Sequence, residues 1–376
     1  MCKFCDTDVS VFDNRLKELK RTDKYLTVKK SDVTVQEIEG GPIFSMINAE
    51  TYDSDEGHIQ KASEEGCLAF SYTADGKQHI VPFDQIGQTS FLQRIGLNCP
   101  MMNASTGGTR FDAMSQESKV NAIQSVLPLW KDKVIVLIRD GMARYAGSEA
   151  SSFEEMQQAD LFDHLTCAMQ EEYPYAAFVS ASGDNSETEV LFDLQDDTLN
   201  ANLKKAFGEE VTAQILFATS DVGLRAASVF PIAKIEDMVV PIGPALELLH
   251  KKPNKAADVE RLVPKLSGAF KEDAKAIEEL GKTKINFPRG CFNAVAKTLI
   301  SKTVLTKKVV LDVGDEVEMM YPYGCTGLNV YRALLMAIRA ETDSRDLKQW
   351  DVLVMYETLA RTLSVSYSEY DHAVEL

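Results

Sequence analysis

The sequence predicts an α+β fold in which antiparallel β-hairpins alternate with single helices and a mostly helical C-terminal region follows. Three observations carry this expectation. Between residues 67 and 243, short apolar runs come in pairs, two of them closed by Asp-Gly turns at Ala74-Asp75-Gly76 and Arg139-Asp140-Gly141. Stretches of helical periodicity separate the pairs. No Gly-x-Gly-x-x-Gly turn is present, and the strand–helix–strand order of a nucleotide-binding parallel sheet is missing. The 376 residues exceed one typical domain. We divide them into a basic helical extension (1–60), an α+β core (61–250) and a mainly helical region (251–376).

In the extension, Phe12, Leu16 and Leu19 fall on one helical face. Arg15, Lys17, Lys20, Arg21, Lys24, Lys29 and Lys30 make it the most basic stretch of an acidic chain. A solvated helix face and a surface for nucleic acid or another partner both fit this pattern. Cys2-x-x-Cys5 has metal-ligand spacing, but no second Cys-x-x-Cys or His pair completes a four-ligand zinc site; a frayed terminus with two free thiols is the expected reading, with no metal, and a zinc knuckle completed by distant Cys or His is the alternative.

The core opens with a hairpin, Cys67–Phe83, in which Leu68, Phe70 and Tyr72 alternate along one arm. A short helix follows at 88–95, with Phe91, Leu92 and Ile95 inward. The loop Asn98–Arg110 ends in Gly107-Gly108-Thr109-Arg110, which could offer backbone N–H groups to an anion. It lacks the Lys-Ser/Thr of a phosphate-binding P-loop and reads equally as a plain connection. Val120, Ile123 and Leu127 mark an amphipathic helix ended by Pro128. A second hairpin spans Val134–Ala146. A helix is expected from Ser152 to Tyr173, with Ser152 and Glu155 at capping-box spacing. The third β pair is Ala176–Leu194, and a short helix, Thr198–Phe207, leads to the centre of the fold. That centre is Ala213–Gly243, two apolar strands around the polar corner Thr219–Gly223, with Arg225 at the entrance to the second strand.

Beyond residue 250 an apolar stripe from Val259 to Leu280 predicts a helix broken or restarted at Pro264. Gly290–Lys302 reads as a helix. Val304–Met320 reads as a strand pair turning at Val313-Gly314-Asp315. Two further helices are expected, Thr326–Arg339 and Leu347–Leu363.

Net charge is −17, which disfavours diffuse binding to DNA or anionic membrane but leaves room for a local basic groove. Seven scattered cysteines suggest a reducing compartment. The first residues lack a signal-peptide core and no apolar run approaches a membrane span, so no membrane partner is expected. Hydrolase signatures are missing, and none of the five histidines has a partner at ligand spacing. The best nucleophile is Cys325, placed just before a helix capped by Thr326, where a helix N-terminus favours thiolate. Tyr321-Pro322-Tyr323-Gly324 beside it also reads as an ordinary aromatic turn. At the central corner, Ser220, Asp221 and Arg225 form a candidate ligand site, although a short polar residue there commonly bonds the turn's own backbone.

Three segments resemble the phage- and plasmid-borne family catalogued as domain of unknown function 932. They are the hairpin Val134–Tyr145 with its Arg-Asp-Gly turn, the segment Ala218–Val229 (ATSDVGLRAASV), and the basic-apolar spacing of Leu246–Lys252 after Pro241-Ile242-Gly243. The family's later Cys-x-Asn-Gly segment has no counterpart; Pro231-Ile232-Ala233-Lys234 stands there. The resemblance implies a mobile-element protein and transfers no catalytic residue.

The leading expectation is a non-enzymatic accessory protein of a phage, prophage or plasmid. It would be cytoplasmic in a bacterial host, homo-oligomeric and free of cofactors, and would bind a macromolecule in nucleic-acid transactions such as recombination. Arg15, Lys20, Arg21, Lys24, Lys29 and Lys30 would contact phosphates, with Arg139 and Arg144 of the second hairpin. The alternatives are an acidic anti-defence or nucleic-acid-mimic protein that binds a host protein, a virion structural protein, or an enzyme with Cys325 as nucleophile.

Overall fold

Residues 4–29, 32–38, 67–95, 97, 114–129, 133–139, 141–148, 153–184, 186–223, 225–236, 238–347, 349–374 and 376 are described by a computed structural model. The α+β class holds: the sheets are antiparallel and the C-terminal region is helical.

The chain begins with β1 (Phe4–Asp6), α1 (Val9–Thr22), β2 (Lys24–Lys29) and β3 (Val33–Ile38). Asp8 caps α1 by accepting from the Ser10 N–H, and Phe12 and Leu16 are its buried residues. The first hairpin is β4 (Cys67–Ala74) and β5 (Lys77–Pro82). Asp75 and Gly76 both take positive φ, 51° and 71°, the pairing that a two-residue hairpin turn requires. Next come α2 (Gln85–Arg94), α3 (Gln116–Val126) and a second hairpin of β6 (Lys133–Arg139) and β7 (Met142–Ser148). β3 pairs with β4, and β2 with β6, giving two three-stranded sheets, β3-β4-β5 and β2-β6-β7. Val35, Phe70, Phe83, Phe91, Ile123 and Val136 fill the space between these sheets and α2 and α3.

A helix, α4 (Gln158–Glu172), precedes β8 (Ala177–Gly183), β9 (Thr188–Asp193), α5 (Asp197–Phe207), β10 (Thr212–Thr219), β11 (Ala227–Ile235), β12 (Met238–Pro241) and β13 (Leu246–Leu248). The central sheet runs β1-β8-β9-β10-β11-β12, with β13 also on β11. β10 and β11 sit at its heart, Ile215 opposite Phe192 on one side and Pro231 on the other. Alternation sends Ala213, Ile215 and Phe217 to one face, in a core shared with Phe12, Leu165, Leu203 and Phe270 from helices. Ala218, Phe230 and Ile232 pack on the other face against Leu353. Both faces are covered, so these strands read as continuous apolar runs. Burying one such side chain stabilises by about 1.5–3 kcal/mol.

The rest is helical: α6 (Leu266–Lys282), α7 (Pro288–Lys302), α8 (Lys307–Met320), α9 (Gly327–Ser344) and α10 (Gln349–Arg361), with β14 (Lys284–Ile285) paired to β15 (Cys325–Thr326). α6 starts two residues after Pro264, behind two 3₁₀ turns. The expectation of a strand pair over Val304–Met320 is corrected: the segment is the helix α8. Val310, Gly314 and Val317 share one buried face, and Gly314 lies against Phe292 and Asn293 of α7. The expected start of the helix at Ser152 also moves, because α4 begins at Gln158; Ser152 itself lies outside the described residues. Among the described residues no helix is long and apolar enough to cross a membrane. The N-terminal segment supplies strands to three sheets, since β1 pairs with β8, β2 with β6 and β3 with β4.

Candidate functional site

The corner between β10 and β11 is the joint between the central sheet and the sheet β2-β6-β7. Val222 enters a buried cluster with Ile135 and Leu137 of β6, Tyr145 of β7, and Phe153. Gly223 follows at φ +72°, where a Cβ would lie 2.9 Å from the Tyr145 ring. Glycine meets both demands here, positive φ and close approach.

Arg139, the last residue of β6, spans the joint. Its Nε donates to Asp23 Oδ1 at 2.9 Å and its Nη2 to Asp23 Oδ2 at 2.5 Å. Nη2 also donates to Asp221 Oδ2 at 2.5 Å. The three side chains retain 1%, 4% and 1% of their exposure, for Arg139, Asp23 and Asp221. Burial opposes the charge on Arg139, but the two carboxylates outweigh it and hold the guanidinium above its ordinary range. Burial likewise pushes the Asp221 carboxyl up to about 6, against the pull of Arg139.

Arg225 makes a second set of ion pairs, within the central sheet. Its Nη2 donates to Glu187 at 2.9 Å, and both terminal nitrogens reach Glu189 Oε1 at 3.3 Å. Its guanidinium carbon lies 3.9 Å from the centroid of the Trp350 ring on α10. Ser220 is fully buried in the same corner. Arg144 of β7 donates to Asp84 Oδ2 at 3.0 Å, while Asp84 Oδ1 caps α2 by accepting the Gly87 N–H. His250 stacks on Phe153 near the joint, and burial lowers its imidazole to about 4.

The structure brings together Asp221 and Arg139, and corrects the role expected of both hairpin arginines. Arg139 and Arg144 are not surface cations: each is buried against carboxylates of its own chain. Of the N-terminal cations, Arg15 pairs with Asp6 at 3.2 Å and stacks on Phe4. Lys20 pairs with Asp160 and Arg21 with Glu18, both at 2.5 Å. Lys24 and Lys29 are exposed along β2; Lys30 lies outside the described residues, as do Cys2 and Gly107–Arg110. Thr326 caps α9 as expected, accepting from the Asn329 N–H. The thiol beside it departs from expectation: burial, with Asp371 adding to it, pushes Cys325 up to about 11, the reverse of thiolate activation. Among the described residues no group of His, Cys, Asp or Glu could hold a metal ion.

Sequence reasoning missed a groove of about 640 Å³ between the start of α7 and the end of α8. Phe287 and Leu311 of its lining are exposed, and Met319 at 73% and Tyr323 at 100% stand next in sequence to its lining residues Glu318 and Pro322. Met319-Met320 directly after an acidic run was the available signal. A second cavity, about 240 Å³, lies between the central sheet and α10. No family model matches the chain, and no curated protein or solved structure matches it significantly.

Proposed function

We propose that this chain is a non-enzymatic accessory protein of a phage, prophage or plasmid that acts by binding a macromolecule, as a homo-oligomer in the cytoplasm of a bacterial host. One observation carries the binding reading: Phe287, Met319, Met320 and Tyr323 are exposed at one end of the helical region. Large apolar side chains left in water within a few residues of one another, as Met319, Met320 and Tyr323 are, suit an interaction surface. The chemistry-bearing groups point away from catalysis. The Asp221 side chain is engaged across the joint by Arg139, the Arg225 side chain is engaged within the central sheet by Glu187 and Glu189, and burial holds Cys325 towards the thiol.

A protein partner fits better than nucleic acid. The hairpin arginines expected to meet phosphates are already neutralised inside the fold, and Arg15, Lys20 and Arg21 each have a carboxylate partner. Lys24 and Lys29 keep the nucleic-acid reading open to a direct measurement. Light scattering of the purified protein, alone and with single-stranded DNA at low and at physiological salt, should show an oligomer whose mass DNA leaves unchanged. A capture from host lysate should return a specific protein. A salt-sensitive gain of mass with DNA would favour the nucleic-acid reading. A monomer that gains no partner in either experiment sinks the binding reading.

A further inference from the structure

Residues 371–374 and 376 form a strap that returns across α7 from a buried anchor. The anchor is Tyr367, fully buried, with its hydroxyl bonded to that of Thr362 at 2.8 Å and its carbonyl accepting from the Cys291 thiol at 3.6 Å. Beyond it the hold changes character. Asp371 sets its carboxylate just before α7, where Oδ1 accepts the Phe287 N–H at 2.7 Å and both oxygens accept the Asn286 N–H at 2.9 Å. The Asn286 side-chain amide also donates to Oδ2, at 2.8 Å. Burial opposes the charge on Asp371, but these N–H groups outweigh it and hold the carboxyl below its ordinary range. His372 crosses α7 at Gly290, where a Cβ would stand 2.0 Å from the His372 carbonyl oxygen. Asn293 Nδ2 donates to the Val374 carbonyl at 2.9 Å, and Lys307 Nζ to that of Leu376 at 2.8 Å. α7 and the start of α8 thus form a seat matched to this segment. Yet each described residue of the strap is exposed or half-buried. It is held chiefly by hydrogen bonds near solvent, each worth little, so it can leave without opening the core behind Tyr367. The strap also walls the groove that Phe287 and Leu311 line, two apolar side chains that a single copy leaves in water.

We propose that the strap is exchanged between two copies of this chain, each laying the segment after Tyr367 on the other's α7. This segment is the occupant whose fit to the seat is shown, atom by atom. Exchange keeps every tie, with Asp371 before the neighbour's α7 and His372 over its Gly290, because the same groups meet whichever copy supplies them. The nine residues after Tyr367 reach about 30 Å at most, at roughly 3.3 Å each, which draws the two α7 starts together. Phe287 and Leu311 are then covered between the copies, and removing that apolar surface from water favours the exchanged form over the closed one. The contact is reciprocal, so it closes at two copies and does not grow into a fibre. This inference rests on the homo-oligomer proposed above and names the segment that builds it.

Complementary defects in the full chain test it, with mass read by light scattering across a dilution series. D371A spoils the strap and keeps the seat. G290A spoils the seat, by setting a Cβ against the His372 carbonyl, and keeps the strap. The wild type should be a dimer. D371A, which removes a carboxylate from its N–H donors, should need about tenfold or more higher concentration to pair, and G290A should be weakened in the same direction. An equal mixture should pair more tightly than either variant alone, since the strap of G290A fits the seat of D371A and one of the two exchanges is intact. Unchanged circular dichroism shows that each variant folds, and K307E, at an exposed position, replaces G290A if that variant does not. A mixture that pairs no more tightly than its parts overturns the proposal. So does a D371A protein that pairs as tightly as the wild type, in which case the homo-oligomer stands on another surface. A wild type that stays monomeric at every concentration removes the homo-oligomer and this inference with it.

Discussion

The joint at the β10–β11 corner and the helical end around α8 handle charge in opposite ways. At the joint, Arg139, Asp23 and Asp221 are stripped of water and satisfied by one another. At α8, Arg289 holds Asp315 and Glu318 in solvent, and it is the apolar side chains that are left unpartnered. The same ion pair therefore has a different meaning in each place. A buried pair punishes the loss of one partner, because a naked charge remains in a low-dielectric interior. An exposed pair contributes little either way. The contrast suggests that charge at the joint fixes how two sheets meet, while charge at α8 tunes a surface.

The largest effect should come from breaking the joint. R139M leaves two buried carboxylates without their cation and should destabilise by about 3–5 kcal/mol in denaturant unfolding. R289M at the exposed pair should cost about 0–1 kcal/mol. Equal losses would remove the contrast.

The next effect is on pH dependence. Asp221 is raised from 3.8 to about 6 on folding, so its contribution is complete below about pH 4 and is lost as pH rises towards 6. At about 1.4 kcal/mol per pKa unit the swing is bounded near 3 kcal/mol. His250 runs the other way: lowered from 6.5 to about 4, it supports the fold above pH 6.5 and loses that contribution as pH falls. D221N removes the first of these opposed trends. Stability of D221N should therefore rise more steeply with pH between 4 and 6 than that of the wild type. Parallel profiles from denaturant midpoints would contradict the assignment.

Two glycines give the smallest and most direct comparison. G223A forces a Cβ into the Tyr145 ring at positive φ and should destabilise by about 1–3 kcal/mol. G314A in α8 meets Asn293 and Phe292 no closer than 3.5 Å, so the gain in helix propensity should win, about 0.5–1 kcal/mol of added stability. Thermal unfolding of the two proteins reports both signs.

Much of this was legible in the residues themselves. The Asp-Gly turns and alternating arms announced the first two hairpins, and the apolar runs around Ser220–Gly223 marked the two central strands. The partners of the cations were not legible. Asp23 precedes Arg139 by 116 residues and Glu187 precedes Arg225 by 38, so a sequence shows the charge and hides what neutralises it. α8 was misread for a different reason. Val309, Val310, Val313 and Val317 favour a strand by their branching. Packing of Val310, Gly314 and Val317 as a single helical face overrides that preference. The groove has little local signature beyond Met319-Met320, because its walls come from α7, α8 and residues 373, 374 and 376.

The strands contributed by the first 38 residues have a consequence for the order in which the molecule can be assembled. β2 must wait for Lys133–Ile138, and β1 for Ala181–Gly183, before either finds its partner. At a synthesis rate of roughly 5–20 residues per second, the 179 residues between Phe4 and Gly183 take about 9–36 seconds to emerge. For that interval β1 is a strand without a sheet; β2 waits a shorter time, since its partner ends at Ile138, and the apolar face of α1, Phe12 and Leu16, lacks a complete core to enter. The order of synthesis and the order of strand pairing therefore differ for β1.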